Sequence, residues 1–325
     1  MKVAVLGAGA WGTALAISLS SRHAVTLWGR DGAHIDTLLR ERINARYLPE
    51  FPLPDALCLT SDLAQAIRDA ELIVVVVPTS GFRALLFALT QSGNTAPLVW
   101  ASKGFEPGGA KLLHQVAAEV LPGHMPRGVL SGPSFAQEVA RGLPCALTLA
   151  AQDAAFAQDA AAWLHHHHVR VYSSTDVVGV ELGGAVKNVM AIAAGISDGM
   201  GSGYNARAAL ITRGLAELAR LAVALGGRAE TVTGLSGLGD LLLTCTGPAS
   251  RNYSLGFALG QGRALAEVLA GRSAVTEGVA TAPALLARAG TVDLPICRAV
   301  AAWLEGRITL AGAIAELLAR RMRDE

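Results

Sequence analysis

A chain of 325 residues with 52% hydrophobic and 16% charged side chains is long enough for two domains and too apolar to be disordered. A formal net charge of +1, with no long basic block, argues against nucleic acid or an anionic membrane as partner and leaves a small ligand as the expected one. Cys58, Cys145, Cys245 and Cys297 lie far apart without a C-x-x-C pair, which fits free thiols in a reducing cytoplasm, and no uncharged apolar run reaches the roughly 18 residues of a membrane span.

The chain enters a strand at Val3 to Leu6 and a glycine turn at once, with no charged, apolar and cleavable leader. Further strands are predicted at Ala24 to Trp28, Leu72 to Val77, Leu98 to Ala101, Val129 to Leu130 and Ala146 to Ala150, with helical or loop segments between most of them. "LIVVVV" (72–77) is β-branched and lacks polar alternation, as a parallel strand covered on both faces does. After a last strand at Val169 to Ser174 the period turns helical. In 206–227 the arginines 207, 213 and 220 share a rim, leucines fill the opposite face, and Gly226 and Gly227 supply a stop. The reading is a doubly wound α/β domain over 1–178 followed by an all-α domain over 179–325.

"KVAVLGAGAWG" places Gly7, Gly9 and Gly12 in G-x-G-x-x-G spacing directly after a strand and at the mouth of an apolar helix, with Ala10 and Trp11 between its glycines counted with the cofactor site. Such a turn lets backbone approach a pyrophosphate while the helix N-terminus faces the anion, which makes the first domain Rossmann-like; the bland alternative is a strand-to-helix turn without a ligand. The second strand ends "TLWGRD", with Trp28 and Gly29 where an acid often takes the ribose 2′-hydroxyl and Arg30 next. NADPH is therefore expected over NADH, with Asp31 beside it as the opposing sign.

Two further strand ends carry polar groups: Lys103 in "ASKGFE", and Gly132 and Ser134 in "SGPSFAQEVA". Ligands of open α/β sheets sit beyond such ends, although Ser134 reads equally well as a helix N-cap. In the helical half, "GLGDLLLTC" sets Asp240 and Thr244 four residues apart on one helix face. In "ASRNYSLG", Ser250 is a good N-cap, with Arg251 and Asn252 in the first turn. A cation there opposes the helix dipole, so capping explains it poorly and a bound phosphate explains it well.

"VELGGAVKNVMAIAAGI" (180–196) holds a single cation, Lys187, in a chain that otherwise writes positive charge as arginine: 23 of its 27 basic residues. On a helix its face is Gly183, Gly184, Met190 and Ala191, small enough to leave room for a substrate. Two readings stand: a snorkelling lysine, or an ammonium used for proton transfer. Desolvation and a carboxylate such as Asp240 would shift its pKa in opposite directions.

"GAGAWGTALA", "NARYLP", "ASKGFE", "SGPSFAQEVA", "GVELGGAVKNVMAIAAGISDG", "TGLSGLGDLLLTCTG", "SRNYSLG" and "VTEGVAT" occur in one order from Met1 to about Ala282, and in this the chain resembles the NAD(P)-dependent glycerol-3-phosphate dehydrogenases of the bacterial type. The resemblance implies reduction of dihydroxyacetone phosphate to sn-glycerol 3-phosphate, a phospholipid precursor, with hydride from NADPH or NADH. It implies Lys187 as the general acid and base, with Asn188 beside it as a substrate or nicotinamide contact. Lys103, Gly132, Ser134, Asp240, Ser250, Arg251 and Asn252 match substrate-contacting positions. Trp11, Arg30, Lys103, Ala136, Arg251, Val275 and Glu277 match cofactor positions. No metal is expected, and a homodimer is the expected assembly, which no motif encodes.

A β-hydroxyacid dehydrogenase would explain Lys187 and Asn188 but not "SRN" as a phosphate grip, and a silent NADPH-binding sensor would not need Lys187, Asp240 and Arg251 intact. The tract His165 to His168 reads as a surface loop, because consecutive histidines cannot share a metal as i, i+4 residues can.

Overall fold

The computed structural model describes residues 1–270 and 277–319. Its residues group into two compact units, Met1–Lys103 with Leu112–Val180, and Gly104–Lys111 with Glu181–Glu325. The division thus falls two residues beyond 178, inside the helix Val177–Gly199, and the excursion Gly104–Lys111 counts with the second unit.

The first unit contains ten strands: β1 (Lys2–Leu6), β2 (Ala24–Trp28), β3 (Ile43–Asn44), β4 (Leu48–Pro52), β5 (Cys58–Thr60), β6 (Leu72–Val75), β7 (Leu98–Trp100), β8 (Arg127–Ser131), β9 (Cys145–Ala150) and β10 (Val169–Ser174). Eight form one sheet in the order β10-β9-β8-β7-β6-β1-β2-β5, while β3 and β4 pair separately. From β5 to β8 every pairing is parallel, and the order outward from β1 is that of a dinucleotide-binding sheet, whose switch point lies between β1 and β6. β9 runs antiparallel to β8, with Val129 opposite Ala150, and β10 follows β9 in parallel.

Alternation along these strands explains the unbroken apolar runs. Val3, Val5, Leu72 and Val74 enter one core cluster, whereas Ala4, Leu6, Ile73 and Val75 enter the other. Both faces of the sheet are covered, so each residue of "LIVV" removes its side chain from water, at about 1.5–3 kcal/mol apiece.

The histidine tract begins where the helix Ala154–Leu164 stops and turns back through a bridge between His166 and Val169. His165, His167 and His168 are exposed, but His166 is half-buried, with its Nε2 2.6 Å from Ser18 Oγ and its Nδ1 2.9 Å from the Leu164 carbonyl.

In the second unit the described elements are helical. The helix Val177–Gly199 is long and apolar enough by length and composition to cross a membrane, but 89% of its apolar window is buried inside the protein, and it is a core helix. The helix Arg251–Gly260 packs on it in the same direction: Asn252 meets Asn188, Gly256 meets Ile192 and Gly260 meets Ile196. Glycines from both helices line this contact. A Cβ on Gly195 would lie 2.1 Å from the Tyr253 carbonyl oxygen, and one on Gly256 equally close to that of Ile192. No other residue type permits that approach.

Candidate functional site

In the first unit the glycine turn is built as its spacing predicts. Gly7 has φ +132° and its missing Cβ would sit 2.4 Å from the Val76 carbonyl oxygen at the end of β6. A Cβ on Gly12 would sit 1.9 Å from the Gly7 carbonyl oxygen. The protein's own packing therefore requires both. Gly9 is different, because a Cβ there would meet nothing within 4 Å. It is the N-cap of the helix Ala10–Leu19, whose first N–H groups receive no side-chain cap. Small backbone with orphan donors and open space beside it fits the approach of a pyrophosphate.

Asn44, on β3, pins this turn: its Nδ2 donates to the Ala8 carbonyl at 3.1 Å and to Thr13 Oγ1 at 2.7 Å. Sequence reasoning gave Asn44 no role. The only signal was its place in "NARYLP", because a two-residue strand has too few side chains to show a period.

At the end of β2, Gly29 packs closely, since a Cβ would lie 2.9 Å from Ile35 Cδ1 and 3.1 Å from Ala8 Cβ, and a larger side chain there requires Ile35 to shift. Arg30 is exposed, and Asp31 is occupied as the N-cap of the helix Gly32–Glu41, accepting from the His34 N–H, with Arg46 3.7 Å away.

Lys103, Gly132 and Ser134 converge on one atom. The Lys103 Nζ donates to the Gly132 carbonyl at 3.2 Å, and Ser134 Oγ donates to the same oxygen at 3.1 Å. Gly132 holds φ +137° in this turn. The capping alternative for Ser134 fails, because the N-cap of the helix Ala136–Ala140 is Phe135. Trp11 Nε1 donates to the Ser134 carbonyl at 3.1 Å, which ties the glycine-turn helix to this second turn. Ala136 opens the short helix that follows.

In the second unit Lys187 interrupts a run of buried residues on the core helix. Its Nζ lies 2.6 Å from Asp240 Oδ1, with the two side chains 12% and 1% exposed. The snorkelling alternative therefore fails: the ammonium reaches a buried carboxylate. Asp240 stands where a π-helical turn, Leu235–Gly239, passes into the helix Asp240–Cys245, an irregularity frequent at functional sites. Thr244 Oγ1, one turn on, donates to the Asp240 carbonyl at 2.6 Å and lies 3.4 Å from Oδ1. Burial pushes the neighbouring Cys245 thiol up to about 12, so it remains a neutral thiol beside the pair.

The expected vacancy around Gly183 is not found. A Cβ there would fall 2.0 Å from the Ser236 carbonyl oxygen, so the glycine admits the chain's own π-helical turn.

Asn188, Asn252 and Glu277 form a directed chain. The Gly278 N–H donates to Asn252 Oδ1 at 3.0 Å, Asn252 Nδ2 to Asn188 Oδ1 at 2.9 Å, and Asn188 Nδ2 to Glu277 Oε2 at 3.2 Å. Ser250 caps the helix Arg251–Gly260 by accepting from the Tyr253 N–H, and Arg251 is exposed at its first position. Val275 lies outside the described residues. Among the described residues no group of three or more His, Cys, Asp or Glu is placed to hold a metal.

Residues 2–157 match the family model described as NAD-dependent glycerol-3-phosphate dehydrogenase N-terminus, and residues 176–315 match the corresponding C-terminus. The chain is 55% identical to the glycerol-3-phosphate dehydrogenase (NAD(P)+) of Aromatoleum aromaticum, over 100% of both chains. It is 54% identical to that of Nitrosospira multiformis, over 100% of this chain and 99% of the other. Among solved structures it is similar to glycerol-3-phosphate dehydrogenase from Coxiella burnetii, with TM-score 0.93 and 42% identity over 98% of this chain and 99% of that one. With both halves matched by the family's models and 55% identity to a relative over its full length, the chain belongs to the NAD-dependent glycerol-3-phosphate dehydrogenase family.

Proposed function

We propose that this protein reduces dihydroxyacetone phosphate to sn-glycerol 3-phosphate, with NADPH preferred to NADH, in the cytoplasm and in supply of glycerophospholipid synthesis. A reduced nicotinamide, when bound, supplies the hydride that reaches the carbonyl carbon. Everything else falls to the residues of the chain. Lys187 protonates the carbonyl oxygen in reduction and accepts the hydroxyl proton in oxidation, general acid–base catalysis worth on the order of 100- to 10,000-fold.

The observation that carries this reading is the Lys187–Asp240 pair at 2.6 Å. Asp240, itself fixed by the turn to Thr244, orients the ammonium in a buried setting, which a solvated lysine would lack. Arg251 and Asn252, in the first turn of a capped helix, take the substrate phosphate, where the helix dipole adds to the guanidinium. Asn188 presents its amide beside Lys187, held in one orientation by Glu277 and Asn252. Lys103, Gly132 and Ser134, gathered at one turn, are proposed as further substrate contacts.

Gly7, Gly9, Ala10, Trp11 and Gly12 are assigned to the dinucleotide, with Ala136 and Glu277 as further contacts and Lys103 and Arg251 serving both ligands. The glycine that stands at position 29 in place of an acid and the engagement of Asp31 as a cap support Arg30 as the partner of a 2′-phosphate. Four unpaired cysteines support a reducing compartment. The test is NADPH absorbance followed with dihydroxyacetone phosphate, with a keto acid, and without substrate. Oxidation with the triose phosphate alone is the expected result, and oxidation with the keto acid alone would transfer the assignment to the hydroxyacid dehydrogenases.

A further inference from the structure

Tyr253 follows Asn252 on the helix Arg251–Gly260, and its hydroxyl donates to Asp198 Oδ2 at 2.6 Å. The same carboxylate oxygen accepts from Arg207 Nη1, also at 2.6 Å. One oxygen thereby joins three helices: Val177–Gly199, Gly203–Ala224 and Arg251–Gly260. The groups are largely out of water, with the Asp198 side chain 10% and that of Arg207 21% exposed. Arg207 is further steadied by stacking over the Tyr204 ring, 4.9 Å from its centroid. Burial, with Asp198 as acceptor, pushes the Tyr253 phenol up, so it stays a donor near neutral pH.

What such a clamp does follows from the contact it sits beside. Between the helices carrying Lys187 and Arg251, glycines meet carbonyl oxygens, as Gly195 meets Tyr253 and Gly256 meets Ile192. Glycines permit the close approach but have no side chains to interlock, so they leave rotation about the helix axis weakly set. Two side chains at consecutive positions supply that restraint: Asn252 bonds Asn188, and Tyr253 bonds Asp198 ten residues further along the same helix, about 15 Å on. Held from two directions, the first turn presents Arg251 at one angle.

We propose that Asp198, held by Arg207, is a positioning residue for the phosphate end of the substrate: through the Tyr253 hydroxyl it sets the rotation of the turn that carries Arg251 and Asn252. This rests on the assignment of Arg251 and Asn252 as the phosphate grip. Asp198 touches neither substrate nor cofactor in this account, and its effect is confined to the group the turn holds.

The test compares kcat/KM for dihydroxyacetone phosphate with that for dihydroxyacetone, which lacks the phosphate, at saturating NADPH. In Tyr253→Phe, which keeps the ring, and in Arg207→Met, the phosphorylated ketone loses about tenfold through KM, while the phosphate-free ketone reacts as in the parent. Arg207→Lys restores the phosphorylated ketone, because an ammonium still pairs with Asp198. Equal losses on both ketones, or no loss on either, would overturn the proposal. The underlying assignment fails separately, if Arg251→Ala lowers both ketones alike.

Discussion

Gly256 lies so close to the Ile192 backbone that a Cβ upon it would stand 2.1 Å from the Ile192 carbonyl oxygen. Alanine can be accommodated only by parting the two helices, so Gly256→Ala is expected to destabilise the protein by about 1–3 kcal/mol. Gly81, in the helix Thr79–Gln91, is the control, because a Cβ there meets nothing within 4 Å. Gly81→Ala gains about 0.5–1 kcal/mol from helix propensity alone. Urea unfolding distinguishes them by the sign of the midpoint shift.

Lys187 and Asp240 are predicted to be costly to separate. Asp240→Leu leaves an ammonium with 12% side-chain exposure without its carboxylate and is expected to cost about 3 kcal/mol. The double variant Lys187→Met/Asp240→Leu removes both charges and recovers most of that loss, yet stays inactive. Guanidinium titrations of the two variants measure the coupling. A double variant no more stable than the single one would show that the pair is not the source of the cost.

Much of the fold is legible before any coordinate. β1, β2, β6, β7, β8, β9 and β10 all lie where apolar runs place them: β1, β6 and β7, covered on both faces, leave no polar residue in their middle, and in β2, β9 and the edge strand β10 a polar residue is flanked by apolar ones. β3, β4 and β5 do not show, being short or at an edge where packing imposes little pattern. The reversal between β8 and β9 is equally hidden, since hydrophobicity carries no strand direction. In the site, the glycine turn and the Ser250 cap are local and therefore readable. The Lys187–Asp240 bond spans 53 residues and the Asn188–Glu277 bond 89, so no spacing rule reaches them. Gly183 shows the opposite failure. A small residue marks close approach, but the sequence does not say by what, and here it is the Ser236 carbonyl.

Arg30 is predicted to set cofactor choice. In Arg30→Ala, the ratio of kcat/KM for NADPH to that for NADH falls by at least about tenfold, the loss of one charge-assisted contact to a 2′-phosphate. Activity with NADH is retained. Steady-state kinetics with both cofactors decide it, and an unchanged ratio would remove Arg30 from the account.

His23 and His166 make the first unit sensitive to acid. His23 Nε2 lies 2.9 Å from the Trp163 carbonyl oxygen and accordingly carries the proton there; its Nδ1 is buried without a partner. His166 bonds the Leu164 carbonyl through Nδ1, leaving Nε2 to accept from Ser18. Desolvation by burial, the largest cause, holds both below the ordinary value of 6.5. The folded state thus prefers the neutral rings, and the unfolded chain binds more protons as pH falls. Stability from these two is present above 6.5 and is lost as pH drops through their lower folded values. His166→Gln should flatten the decline in urea midpoint between about pH 7.5 and about pH 5.5.

The central claim is that Lys187 carries the proton. It is tested most directly by the kcat of Lys187→Met with dihydroxyacetone phosphate and NADPH, measured beside the NADPH dissociation constant of the same variant. The account predicts a fall in kcat of at least about 100-fold with NADPH bound as tightly as by the parent. A variant that turns over at the parent's rate would contradict it.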